Sequence, residues 1–143
     1  MKRMLTAFAC MLLLLGVAGC AVIATKPDEA PIDAVHNSRN SLDWAGVYAG
    51  IIPAASGPGI NVAITLREDL TYLLQYQYIG RQGGGFTLAG TFKWNEDGNS
   101  ITLDAQNLPP HYRVGENRLI QLDMDGELIT GELADSYVLI KQL

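Results

Sequence analysis

Cysteine is scarce in this chain: 143 residues contain only Cys10 and Cys20. Two thiols build neither a Cys-rich zinc scaffold nor a multi-disulfide framework. Histidine is equally scarce, with His36 and His111 the whole supply. A zinc or copper site needs clustered ligands at suitable spacing, which this supply does not provide. Positive charge is in deficit too. Ten Lys and Arg face fifteen Asp and Glu, for a formal net charge of −5 and a pI ≈ 4.8. That balance argues against a nucleic-acid partner, because phosphate neutralisation needs a basic surplus. No Gly-x-y period runs through the chain, so collagen is excluded. A hydrophobic content of 48% argues against wholesale disorder. The length fits one domain.

What is present begins with an address. Lys2 and Arg3 are the only charges before position 26, and Met4 to Val17 is apolar apart from Thr6. A basic start followed by a short apolar centre is a secretory leader, too short for a comfortable span of about 20 apolar residues. Val17-Ala18-Gly19-Cys20 follows, small residues before a cysteine. This resembles the lipobox of bacterial lipoproteins, and implies cleavage after Gly19 and acylation of Cys20. The alternative is an ordinary secretory leader that contains a cysteine. On the lipobox reading, residues 1–19 are the signal peptide and Cys10 is discarded with it. The mature part then has no free thiol and carries 8 basic and 15 acidic residues, a formal −7. Two or more acyl chains anchor a protein stably, at about 0.8 kcal/mol per buried methylene. Ala21, where inner-membrane retention uses Asp, resembles an outer-membrane destination, with the chain facing the periplasm.

Residues 20–42 read as the lipidated cysteine and a flexible linker, with Pro27, Pro31, scattered charges and no sustained apolar period. Residues 43–143 form the folded domain. Ile60, Val62, Ile64 and Leu66 alternate with Asn61, Ala63, Thr65 and Arg67, and Tyr72, Leu74, Tyr76 and Tyr78 form one face of the next strand. Phe86, Leu88, Gly90, Phe92 and Trp94 repeat the period of two. Turn chemistry stands at Glu68-Asp69, Gly80 to Gly85, Asn95 to Asn99, Gly115-Glu116-Asn117 and Met124 to Glu127. Ile101 to Leu103, Tyr112 to Val114, Leu119 to Leu122, Leu128 to Leu133 and Tyr137 to Lys141 are further short strands. About eight strands with one apolar face each predict an all-β fold, a small antiparallel barrel, with a sandwich as the alternative.

Catalytic constellations are hard to assemble. Ser56 lies in Ala54-Ala55-Ser56-Gly57-Pro58-Gly59, which lacks the spacing and the helix of a nucleophile elbow. His111 is the one candidate base within the domain. The pairs Glu68/Asp69, Glu96/Asp97 and Asp123/Asp125 sit at turns, where acidic side chains bond the backbone. The calcium-loop pattern is missing around Asp123. Met124 reads as a packing residue, and no metal site or cofactor is expected. The aromatic set Tyr72, Tyr76, Tyr78, Phe86, Phe92 and Trp94 fills a barrel core or lines a cavity for a small apolar ligand. The second possibility makes the chain a lipocalin-like carrier.

The order of several segments resembles the NlpE N-terminal domain family of envelope lipoproteins, also labelled copper resistance proteins. These segments are Trp44-Ala45-Gly46-Val47-Tyr48 through Pro53, Gly59-Ile60, and Glu68-Asp69-Leu70-Thr71-Tyr72. Tyr78-Ile79-Gly80, Gly90-Thr91-Phe92-Lys93-Trp94, Leu119 to Asp123 with Gly126, and Tyr137-Val138-Leu139 complete the series. The resemblance implies a lipocalin-like or OB-like barrel on a lipid anchor. It also implies a non-catalytic envelope-stress role, with a sensor kinase and the lipoprotein transport machinery as partners. The family often carries Cys-x-x-Cys after this proline. Here Ala54 and Gly57 occupy both cysteine positions, so soft-metal chemistry does not carry over. Leu70 replaces a turn glycine, so a different backbone is expected there. The second barrel domain of some relatives is expected to be missing. Rigid scaffolds display function on loops, so Pro53, Ala54, Ala55, Ser56, Gly57, Pro58 and Gly59 are the expected partner loop.

Overall fold

The computed structural model describes residues 36–143. The expected signal peptide, Gly19, Cys20 and most of the expected linker lie outside the described residues. Eight antiparallel strands close into a barrel in chain order: β1 (Gly46–Ile52), β2 (Ile60–Leu66), β3 (Thr71–Tyr78), β4 (Gly85–Trp94), β5 (Ser100–Leu103), β6 (His111–Gly115), β7 (Arg118–Gln121) and β8 (Val138–Gln142). The last strand returns to the first, with Ala49 opposite Ile140.

The alternation read from the sequence becomes the wall. Cross-strand rows such as Tyr48–Ile64–Leu74–Leu88 point inward and Ala49–Ala63–Gln75–Thr87 points outward. The inward rows bury Tyr48, Ile64, Tyr72, Leu74, Tyr112, Leu119 and Leu139 almost completely. Each fully buried aliphatic side chain contributes about 1.5–3 kcal/mol. Trp44 plugs one end of the barrel. Its ring stands edge-on to Phe92 and Trp94 at 5.8 and 5.5 Å between centroids, and the Tyr48 hydroxyl donates to its carbonyl at 2.7 Å.

Four local expectations change. The end of the segment expected as linker is docked on the barrel: a single helical turn, α1 (Ser38–Ser41), starts at Asn37. Ser38 Oγ donates to the Val114 carbonyl at 2.8 Å and the Arg39 N–H to the Gly98 carbonyl at 2.9 Å. Leu128 to Leu133 is not a strand. One isolated bridge joins Leu122 and Leu128, and Leu128 and Leu133 are exposed. Gly131 takes φ 100, which interrupts extension. The free edge of β7 is taken by β8, after a 3-10 turn over Ala134–Tyr137. Met124 stands exposed at a turn tip, not packed. At Leu70 the backbone keeps the left-handed region that a turn glycine adopts, with φ 64. The substitution therefore costs strain.

Candidate functional site

Two of the four connections at the rim of the barrel opposite Trp44 form the candidate site. Residues 53–59 join β1 to β2, and residues 79–84 join β3 to β4. Ala55, Ser56, Gly57 and Pro58 are exposed, while Ile52 and Gly59 are buried and Pro53 and Ala54 are half-buried. Gly59 is required. At φ 141 it lies so close that a Cβ would stand 2.8 Å from Ile51 Cγ2 and 3.1 Å from the Ile52 carbonyl oxygen. The two connections are tied together. The Ile79 N–H donates to the Gly59 carbonyl at 3.0 Å, and Arg81 Nη2 donates to Ser56 Oγ at 2.8 Å. The same guanidinium lies 5.6 Å from the centroid of the Tyr78 ring, a cation–π distance.

The expected partner loop is thus an uncharged, proline-bounded projection steadied from behind by Arg81. Beneath it a hollow of about 300 Å³ lies among Ile51, Ile52, Pro53, Ala54 and Ser136. Sequence reasoning missed Arg81, because its partners come from a different connection and nothing local marks it.

A broader concavity of about 770 Å³ lies on the outer face of β1 to β4. Its floor is the outward rows Ile51–Asn61–Gln77–Gly85 and Ala49–Ala63–Gln75–Thr87, and Phe86 stands at its edge. No charged residue lines it. Of the six aromatic residues singled out in the sequence, only Tyr76 and Phe86 reach this concavity. Their rings stack at 5.1 Å and 8° between planes. Tyr72 and Phe92 are buried, and Tyr78 and Trp94 pack against the core.

The barrel interior is more polar than its sequence suggests. The hydroxyls of Tyr72, Tyr76 and Tyr112, Oε1 of Gln121 and Nε1 of Trp94 are buried without a well-formed hydrogen bond among the described residues. Burial pushes Tyr72 up to about 12, and the nearby Asp104 carboxylate pushes the same way. Burial also raises Tyr76 and, further, Tyr112. Burial, with Asp43 adding to it, takes Tyr48 to about 12. These phenols stay protonated in the physiological range.

Candidate nucleophile and base do not meet. Ser56 Oγ accepts from Arg81, while His111 Nδ1 shares a 3.0 Å hydrogen bond with Thr102 Oγ1. Two of the three acidic pairs bond backbone at turns through one member each, while at Glu96/Asp97 it is Asn95 that accepts from the N–H groups of Asn99 and Ser100. Asp69 accepts from the Thr71 N–H and hydroxyl, and Asp123 from the N–H groups of Asp125 and Glu127. Among the described residues no three His, Cys, Asp or Glu gather as a metal-binding group.

Comparison with known proteins agrees with this architecture. The lipoprotein NlpE of Escherichia coli strain K12 is 25% identical over 132 residues, 92% of this chain and 54% of that protein. The chain thus spans about half the length of that curated relative. A crystallised protein of Shewanella oneidensis, provisionally described as a lipoprotein, is 43% identical. It superposes with a TM-score of 0.69 over 74% of this chain and 95% of that one. The crystal structure of the Escherichia coli Cpx pathway activator NlpE, 24% identical, shares the fold. Its TM-score is 0.51 over 61% of this chain and 46% of that one. The profile of the NlpE N-terminal domain matches residues 48–132, from the first strand to the excursion before the last. By sequence profile and by barrel alike, the chain belongs to the NlpE N-terminal domain family.

Proposed function

We propose that this chain is a non-catalytic binding and signalling module of the bacterial envelope, tethered through acyl chains on Cys20 to the periplasmic face of the outer membrane. The observation that carries the reading is the Pro53–Gly59 loop. It is an uncharged projection on the barrel rim, closed at its base where Gly59 lies against Ile51 and Ile52 and held at Ser56 by Arg81. Such a loop presents one shape to a protein partner without paying to order itself on binding. The family supplies the partner class: a sensor kinase of an envelope-stress pathway and the machinery that carries lipoproteins outward. Membership also favours the anchor, because the curated relative is itself a lipoprotein.

Copper handling through this loop does not follow, since Ala54 and Gly57 provide no thiolate. Titration with Cu(I) is expected to give no micromolar site. The signalling reading is tested by overproducing the lipidated chain in cells carrying an envelope-stress reporter. The reporter should rise, and Ser56→Asp combined with Ala55→Asp should reduce the rise while the protein level holds. A reporter that ignores both the chain and its loop variant refutes the reading.

A further inference from the structure

The barrel is closed, but one seam is closed only at one end. Strand β4 has ten residues and β5 has four, and they pair only over Phe92, Lys93 and Trp94. Hydrogen bonds on either side fix which way each peptide of β4 points. The Tyr78 N–H donates to the Gly84 carbonyl and the Phe92 N–H to the Leu70 carbonyl. Even-numbered residues 84–92 therefore face β3. The Asp104 N–H donates to the Thr91 carbonyl at 3.0 Å, so odd-numbered residues face away. Thr91 is the last of these to be satisfied. Its own N–H donates to Asp104 Oδ2 at 3.0 Å. Beyond it the N–H and C=O groups of Gly85, Thr87 and Ala89 point off the sheet, and all three residues are exposed.

Exposed edges recruit other strands, and soluble proteins blunt them with Lys, Pro, bulges or shortness. This edge has none of these. Gly83 to Thr91 contains no charge and no proline, and its register with β3 is uninterrupted. Its inward side chains, Phe86 and Leu88, are apolar and lack full cover, with Phe86 40% exposed.

We propose that this edge pairs with the same edge of a second copy of the chain, forming a two-fold antiparallel dimer centred on Thr87. One register uses every free group. A centre on Phe86 would join only Gly85 with Thr87 of the other copy, and a centre on Leu88 only Thr87 with Ala89, so each leaves one free residue of either edge unpaired. A centre on Ala89 calls on Thr91, which Asp104 occupies, and a centre on Gly85 calls on Gly83, outside the strand. With Thr87 opposite its twin, Gly85 and Ala89 exchange hydrogen bonds with their counterparts. Phe86 of each copy then faces Leu88 of the other, an apolar cross-strand pair. An isologous contact of this kind closes and does not propagate. A negatively charged chain pairs with itself only where charge is missing, and β4 before Lys93 is such a stretch. Five residues a side fall short of the about 800 Å² per partner of a stable interface. The dimer is therefore weak and forms where copies are concentrated.

The test uses the full chain, purified in detergent, carrying Thr87→Cys, with the wild type as the baseline for its own cysteines. Facing Cα atoms in such a pair stand about 5.5 Å apart, within disulfide reach. Mild oxidation should give a reducible species of twice the mass. Gln75→Cys, equally exposed on β3 and opposite Thr87, should give only the baseline. Adding Ala89→Pro to Thr87→Cys should abolish the cross-link and leave the melting transition in place, because that N–H bonds nothing in the barrel. Cross-linking of Thr87→Cys no greater than that of Gln75→Cys overturns the proposal, as it would if the edge takes a strand from a different protein. A cross-link that survives Ala89→Pro overturns it as well.

Discussion

Leu70 carries a conformation its side chain resists. At φ 64 its Cβ crowds the following carbonyl, a cost of about 1–2 kcal/mol for an ordinary residue. The turn tolerates this because the leucine packs against the core, and because its N–H donates to the Arg67 carbonyl and its carbonyl accepts from Phe92. Strain and packing separate on substitution. Leu70→Ile keeps the volume but adds a branch at Cβ, which the left-handed region admits poorly. It should destabilise the barrel by about 1 kcal/mol or more, read as a lower midpoint in thermal or urea unfolding. Leu70→Gly relieves the strain and loses the packing, so its midpoint should lie above that of Leu70→Ile. The substitution was legible in the sequence, but its consequence was not. A glycine position identified by pattern says which conformation is easy, whereas the pull of tertiary contacts decides whether a leucine adopts it. Asp69 and Asp123 read more directly, because an Asp that bonds the backbone two residues on needs only local chain.

Among the elements, seven of the eight strands were legible because a period of two depends on which face meets the core, and that face stays constant along each of them. Strand β1 was not singled out, since it turns apolar Val47 and Ile51 outward as well as Tyr48 and Ile52 inward. Leu128 to Leu133 shows where such reading stops. Apolar residues recur there, yet β7 has one free edge and β8 takes it, so the excursion finds no ladder to join. The docked turn at Ser38 was also out of reach, since its hydrogen bonds go to Val114 and Gly98, far along the chain. The half-open β4–β5 seam was legible in outline. A long run from Phe86 to Trp94 followed by a short Ile101–Leu103 run cannot pair throughout. What the sequence hides is where the seam stops. Asp104 sets that point, accepting from both the N–H and the hydroxyl of Thr91. The Thr91 N–H and hydroxyl and the nearby Tyr72 hydroxyl hold its carboxyl below the usual carboxylate range. Asp104→Ala should open the seam by one rung. Amide exchange at Thr91 should accelerate well beyond that at Leu74 in the middle of β3, and unchanged exchange would show the carboxylate to be incidental. The same loss of protection at Thr91, taken relative to the intrinsic exchange rate at each pH, should appear in the unmutated protein as pH falls through the lowered pKa, because protonation of Asp104 weakens the bond.

At the scale of the whole molecule, the interior tyrosines set an upper pH limit. Tyr48, Tyr72, Tyr76 and Tyr112 all have raised values in the folded barrel, with burial the leading cause each time, and Tyr48 and Tyr72 reach about 12. In the unfolded chain each ionises near its ordinary value of about 10. The folded state therefore holds more protons between these two values, and stability falls as pH rises through that window. Below about 10 the contribution is fully present. Above it each buried phenol favours unfolding, and four acting together should unfold the barrel cooperatively before any of them ionises in place. Absorbance near the phenolate band, followed together with far-ultraviolet circular dichroism during an alkaline titration, should show most tyrosine ionisation coinciding with loss of sheet. Tyr112→Phe removes one such proton linkage together with an unpartnered buried hydroxyl. That substitution should shift the transition to higher pH, because the phenylalanine keeps the packing and has no proton to lose. Phenolate appearing fully while the sheet signal holds would mean that the interior admits charge, and that the wall is open to solvent where the packing of Tyr72, Tyr76 and Tyr112 excludes it.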